Sequence, residues 1–332
     1  MREATTGGVG PADTGEDFTV SIRRLHPSLR VTRTLSGRPA TSGFPVLGLP
    51  KKSQEGRRIR SLVRAPKGYV IGSWDYSQIE LRIAAKISGD KALQRAYIDG
   101  LDIHTQTCEL IFGLPKEKQD KGLHRTPAKA GNFGYWMGME AKGLTEAIHK
   151  EGVLSWSADC PGCKRFGAEH AANCDSVKFF AGFDKAYHGA RAYQLQRREH
   201  VRKTGFAYGL WGERWFLPGA WSPHEDVREA TERQAFALPI QSGNARLIKQ
   251  AMAQVWYKDL PWAKAQGFDV QPILWVHDEL LFCLEEAALR VWAPRIKATM
   301  ETVTELLRPV PIVAEGSYGP SWLEQTEIDK KE

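Results

Sequence analysis

Two aspartates stand where charge is expensive. Asp75 closes the apolar run Tyr69-Val70-Ile71-Gly72-Ser73-Trp74, and Asp278 lies between the runs ILWV (273–276) and LLFCL (280–284). An ionised carboxylate among apolar strands must be compensated. Two such groups brought together repel, and a divalent cation relieves the repulsion. A pair of carboxylates holding two metal ions about 3.5–4 Å apart is the apparatus of in-line phosphoryl transfer. Taken one at a time, the same residues also fit a turn (Asp278) and a helix N-cap (Asp75).

A second group is Arg125, Lys129 and Phe133. Residues spaced by four share one stripe of a helix. Two cations followed by a ring suit a triphosphate with a sugar and base at its far end. The bland alternative is a solvated basic face with one core phenylalanine. A third group is Cys160, Cys163, His170 and Cys174, the pattern C-x2-C-x6-H-x3-C. Three thiolates and an imidazole are a structural zinc set, and Pro161-Gly162 favours a tight knuckle between the first two ligands. The alternatives are a redox C-x-x-C or unpaired buried thiols. A redox motif wants a strand before it and a helix after it, whereas 155–176 reads as loop. Cys108 and Cys283 are isolated and read as core residues.

These groups need elements to position them. The 332 residues, 42% apolar and 26% charged, fit about two domains and exclude a disordered, collagen-like or disulfide-scaffold chain. The longest apolar runs are strand-length and interrupted by His277-Asp278-Glu279, which predicts no membrane span. Residues 1–18 read as a flexible lead-in without the apolar segment of a signal peptide. With five cysteines, this predicts a reducing compartment, and hence a cytoplasmic protein. The net charge of +7 is too modest to identify an anionic partner by itself.

The run 69–75 reads as a strand, and 77–88 as a helix with Ile79, Ile83 and Ile87 on one face and Arg82 and Lys86 off it. Residues 91–150 are mostly helical in pattern. Helices are also predicted over 178–203, over 226–258 with a break near Pro239, and over 286–307, followed by a short strand (310–316). Residues 271–284 read as a hairpin with His277-Asp278 at its tip. Strands and helices mix without regular alternation, so the fold class is α+β.

Three motifs now carry a resemblance. WDYSQIELR (74–82), HRTPAKAGNFG (124–134) and WVHDEL (275–280) resemble, in order, the three polymerase motifs of family A DNA polymerases. SGR (36–38), EGRRIR (55–60), SGD (88–90), DIHT (102–105), REATERQAF (228–236) and PIQ (239–241) also match in order. The resemblance implies an antiparallel palm sheet with helices and helical fingers. It divides the chain into a lead-in (1–33), first palm part (34–100), fingers (101–204) with a zinc-binding insertion (155–176), and second palm part (205–332).

The resemblance also implies residue roles. Asp75 and Asp278 bind two Mg²⁺ ions, for which Mn²⁺ can substitute, helped by the Tyr76 carbonyl; Glu279 is a secondary acid of the same site. Glu80 blocks the sugar 2′ position. Gln78, His104, Arg125 and Lys129 hold the triphosphate, Lys129 also protonating the leaving pyrophosphate, and Phe133 packs on the incoming sugar and base. Arg38, Arg233, Gln241 and His277 contact the primer-template minor groove. The implied partners are primer-template DNA and deoxynucleoside triphosphates. A thumb and 3′–5′ exonuclease are expected on a separate polypeptide, or missing through truncation, and a phage protein in a bacterial host fits the compact form.

Several positions depart from the family pattern. Met137 stands where the family usually has Tyr, Ala237 where it has Asn, and Leu47-Gly48-Leu49-Pro50 where it has Q-N-I-P. Pro127 is unusual in the second motif; with Thr126 as N-cap it would leave Arg125 just before the helix. Two other functions compete: a single-subunit RNA polymerase, disfavoured by Glu80, and a non-catalytic nucleic-acid-binding subunit, disfavoured by retention of Asp75, Lys129 and Asp278.

Overall fold

The computed structural model describes residues 26–42, 45–50, 53–165 and 168–328. The lead-in expected over 1–18 lies outside them. A short antiparallel pair, β1 (Ser28–Arg30) and β2 (Ala40–Ser42), precedes helix α1 (Gln54–Leu62). Strand β3 (Tyr69–Tyr76) leads into α2 (Ile79–Ser88) and α3 (Lys91–Ile98). Then come α4 (Ile103–Phe112), α5 (Thr126–Trp136), α6 (Ala141–Lys150), the single turn α7 (Pro161–Lys164), α8 (Asp175–Ala186) and α9 (His188–Thr204). The small hairpin β4 (Phe206–Tyr208) and β5 (Arg214–Phe216) precedes α10 (Glu225–Gln254) and α11 (Leu260–Ala265). Hairpin β6 (Val270–Val276) and β7 (Glu279–Glu285), α12 (Leu289–Glu301), β8 (Ala314–Gly319) and β9 (Thr326–Glu327) follow.

The main sheet is antiparallel, in the order β6-β7-β3-β8-β9. β3 is rich in Val, Ile, Trp and Tyr, the residues that suit a pleated surface. Its two faces differ. Val70, Trp74 and Tyr76 join the large core, where Trp74 meets Phe282 (5.7 Å between ring centroids) and Phe282 meets Trp292 of α12 (5.2 Å). Ile71 lies on the other face in a small core with Val46, Val276, Leu281 and Trp322. Strand alternation places Ser73 and Asp75 on that thinner side. The mixed helix and sheet architecture agrees with the α+β expectation.

Local patterns were overridden where tertiary contacts compete with them. The helix expected over 178–203 is two helices, broken at Tyr187 (φ −121°, ψ 68°). Tyr187 is buried with its hydroxyl 3.0 Å from Thr107 Oγ1, and the Asp90 carboxylate accepts the Gly189 N–H at 2.7 Å. Conversely, α10 runs unbroken through Pro239, whose side chain is buried along with Leu238 and Ile240. Packing there outweighs the lost backbone hydrogen bond. Arg82, expected off the buried stripe, is itself buried: its Nε donates to the Ser77 carbonyl (2.8 Å), its Nη1 to the Pro311 carbonyl (2.9 Å), and it covers the Tyr97 ring.

Candidate active site

Asp75 ends β3 and Asp278 belongs to the two-residue turn between β6 and β7. Asp75 pairs in register with Glu279, and the Tyr76 N–H donates to the Asp278 carbonyl at 3.2 Å. The two aspartates are thereby fixed on neighbouring strand ends, both half-buried. His277 supports the tight turn with a positive φ of 56°, a conformation in which His is enriched among non-glycine residues. The Tyr76 side chain points away, its hydroxyl donating to the Met300 carbonyl at 2.9 Å, while its backbone stays at the strand end. Two carboxylates and a backbone carbonyl are hard oxygen donors, the set that Mg²⁺ accepts.

Glu279 has a different environment. It is 6% exposed, and its Oε1 accepts hydrogen bonds from Ser73 Oγ (2.5 Å) and Trp322 Nε1 (3.1 Å). Arg60 stacks 3.8 Å from the Trp322 ring centroid and feels the Glu279 charge, which opposes the lowering of its pKa by burial. Glu279 therefore anchors the hairpin to the rest of the fold. The sequence carried no signal for Ser73, Arg60 or Trp322 as its supports, because they come from three distant segments.

Arg38 reaches the same corner. It pairs with Glu80 on the first turn of α2, and Asp278 opposes the lowering of its pKa by burial. Arg38 thus lies between the acid expected to gate the sugar and the acid expected to bind metal. Gln78, at the start of α2 with φ 52°, accepts from the Tyr97 hydroxyl at 3.1 Å.

The helical wall carries His104, Arg125, Lys129 and Phe133. A π-helical turn (Lys121–Arg125) runs directly into α5, with Asp120 as its N-cap. Thr126 is helical (φ −64°, ψ −49°), and its side chain bonds back to the Lys121 carbonyl. The capping side chain, Asp120, is thus six residues earlier than the expected Thr126, at the start of the π turn, and Arg125 directly precedes α5. Arg125 is held by Thr105 and by Asp102, 3.2 Å away. Lys129 is exposed and Phe133 half-buried.

His104 is buried, 6.2 Å from the Phe133 ring, and its Nδ1 lies 2.8 Å from Asn132 Nδ2. Asn132 Oδ1 accepts from Thr107 Oγ1 at 3.0 Å, so the Asn132 amide faces His104 as a donor. His104 Nδ1 is then the acceptor and Nε2 carries the hydrogen. Burial lowers the imidazole pKa to about 4, with Lys129 and Arg125 adding to it and Asp102 opposing. His104 is a neutral N–H donor. Asn132 and Thr107 were not singled out in the sequence, although Asn132 sits inside the second motif.

α10 closes the side. Arg233 lies against Gly138 just past α5, where a Cβ would come 2.7 Å from Arg233 Cγ, and is 3.5 Å from Glu140. Gln241 Nε2 lies 3.1 Å from Met137 Sδ. Away from these groups, the ligand atoms of Cys160, Cys163, His170 and Cys174 all lie within 4.8 Å of one another. Cys108 is fully buried and Cys283 half-buried. Among the described residues no helix is long and apolar enough to cross a membrane.

Comparison with known proteins agrees with this arrangement. Residues 17–324 match the family model for DNA polymerase family A. The chain is 35% identical over 307 residues to DNA polymerase I of Pseudomonas aeruginosa, covering 92% of this chain and 31% of that protein. It is 34% identical over 300 residues to the thermostable DNA polymerase I of Thermus caldophilus, covering 90% of this chain and 32% of that one. The chain thus spans about a third of the length of the curated relatives it matches. A solved structure, the polymerase domain of Pol1 from M. smegmatis in complex with DNA primer-template and dNTP, superposes with a TM-score of 0.76 at 29% identity, covering 90% of this chain and 48% of that one. The matched segment contains the strand-end aspartates, the α5 stripe and the α10 wall alike, and the chain belongs to DNA polymerase family A.

Proposed function

We propose that this chain adds deoxynucleotides to a primer 3′ end under direction of a template strand, releasing pyrophosphate. The observation that supports it most is the placement of Asp75 and Asp278 on adjacent strand ends beside the Arg38–Glu80 pair. On this reading the sheet layer is the palm and α4 to α9 the fingers. Asp75, Asp278 and the Tyr76 carbonyl would hold two divalent ions, which when bound supply charge neutralisation at the transferring phosphorus and activation of the primer hydroxyl.

The chain's own residues do the rest. Arg125 and Lys129 bind the triphosphate, and His104 donates its Nε2–H without adding charge. Lys129 holds the proton passed to departing pyrophosphate. Phe133 receives the sugar and base, and Gln78 borders the triphosphate. Glu80, held by Arg38, occupies the space a 2′-hydroxyl would need. Arg38, Arg233, Gln241 and His277 line the path of the primer-template minor groove. Glu279 positions the hairpin rather than meeting the substrate. The Cys3His cluster holds one structural Zn²⁺ and takes no part in transfer.

The test is primer extension by the purified chain with dNTPs or NTPs, with Mg²⁺, Mn²⁺ or chelator. The expected result is extension with dNTPs only and dependence on a divalent ion. Preferential extension with NTPs would support the RNA polymerase reading. Tight DNA binding with no extension under any condition would support the non-catalytic one.

A further inference from the structure

The Cys3His cluster is embedded in the support of α5. Cys160 Sγ lies 3.4 Å from His170 Nδ1, Cys163 Sγ 3.6 Å from it, and Cys174 Sγ 3.8 Å from it. Cys163 and Cys174 sulfurs are 3.6 Å apart. Tetrahedral zinc with ordinary Zn–S and Zn–N bonds requires ligand separations of about 3.5–3.8 Å. The chain is shaped for this spacing: a Cβ at Gly162 would meet the His170 backbone nitrogen and ring at 2.8 Å. The three cysteines are buried and His170 is exposed.

Hydrogen bonds then tie the ligands to two helices. Thr145 of α6 donates to Cys163 Sγ at 3.1 Å, and its oxygen lies 2.8 Å from the Ser176 hydroxyl of α8. Ser176 also accepts from Trp156 Nε1 at 2.8 Å, and its N–H donates to Ser157 Oγ at 3.1 Å. Thr145, Ser157 and Ser176 are all buried. Cys174 is the N-cap residue of α8. Further along α8, Phe179 lies against Gly131 of α5, and Asp184 accepts from Tyr135 of α5 at 2.5 Å. The helix carrying Arg125, Lys129 and Phe133 therefore has its rear face set by α8, whose first turn is set by the cluster.

We propose that one Zn²⁺ at Cys160, Cys163, His170 and Cys174 locks α8 to α6 and so fixes the position of α5, making the metal a determinant of nucleotide affinity and not of the chemical step. This rests on the reading of α5 as the nucleotide-binding helix. Four protein ligands fill the tetrahedron and leave no open position for a reacting group. Thr145 is a positioning residue for the metal. Loss of such a partner costs roughly 10–100-fold in metal affinity, so Thr145→Val should retain all four ligands yet lose zinc to a chelator at correspondingly lower concentration.

The experiment uses the full chain purified without added metal. Elemental analysis should give about one zinc per chain, and Co²⁺ exchange the absorption of a tetrahedral thiolate site. Amide hydrogen exchange is then compared with and without chelator, and in Cys163→Ser. Chelation should speed exchange in 175–186 and 126–136 while leaving β3 and β7 protected. The KM for dNTP should rise by roughly tenfold with kcat within about threefold, the pattern of lost ground-state and transition-state binding alike. Absence of both zinc and a cobalt spectrum would overturn the site. Metal loss without faster exchange in 126–136 would overturn the tie to α5, and loss of kcat at constant KM the positioning role. Should the chain extend no primer at all, the metal and exchange measurements still decide the site and the tie, while the polymerase reading fails separately.

Discussion

A buried histidine beside two cations has one stable form at neutral pH. His104 is held neutral chiefly by burial, which carries its pKa from 6.5 to about 4. As pH falls below 6.5 the unfolded chain takes up a proton that the folded chain refuses. Stability present above that pH is therefore lost as pH falls towards 4, by roughly 3 kcal/mol at most. His104→Gln should remove this segment: urea midpoints measured from pH 7 to 4.5 should fall less steeply than in wild type. Equal slopes would mean that another group carries the effect. A second residue-scale prediction concerns the Arg38–Glu80 pair. Glu80→Ala should lower the ratio of kcat/KM for dNTP over NTP by roughly 10- to 200-fold, the range of one pocket contact. An unchanged ratio would place the gate on another side chain.

The elements explain why some of this was legible in the sequence and some was not. Two strand-length apolar runs either side of the His277-Asp278 tip specified the β6–β7 hairpin directly. The spacing of Arg125, Lys129 and Phe133 specified a helical stripe, and ligand spacing specified the cysteine knuckle. These signals are local. The π turn ahead of α5, capped by Asp120 rather than Thr126, had no sequence signal, and the break at Tyr187 is held by Asp90, almost a hundred residues earlier. Arg82 and Glu279 are buried by partners from distant segments, which no window of sequence contains. Gly131 gives an element-scale prediction. A Cβ there would come 2.1 Å from Phe179 Cε1, so Gly131→Ala should destabilise by about 1–3 kcal/mol despite its better helix propensity. Denaturant unfolding checks this, and a gain in stability would show that α5 and α8 are not in the contact described.

At the scale of the whole molecule, an antiparallel sheet presents acids at one strand-end corner, and a helical layer presents cations and a neutral imidazole. α10 supplies the side that carries Arg233 and Gln241. On the proposed function, DNA affinity and chemistry should be separable, because many phosphate contacts would supply affinity while the acids would act on the transition state. The most direct measurement is single-turnover incorporation of one dNTP with Mg²⁺ by wild type, Asp75→Asn and Asp278→Asn, with primer-template Kd taken on the same preparations. The account predicts that each substitution slows incorporation by roughly 10³-fold or more and leaves the primer-template Kd within about threefold. Incorporation within tenfold of wild type by either variant would contradict it.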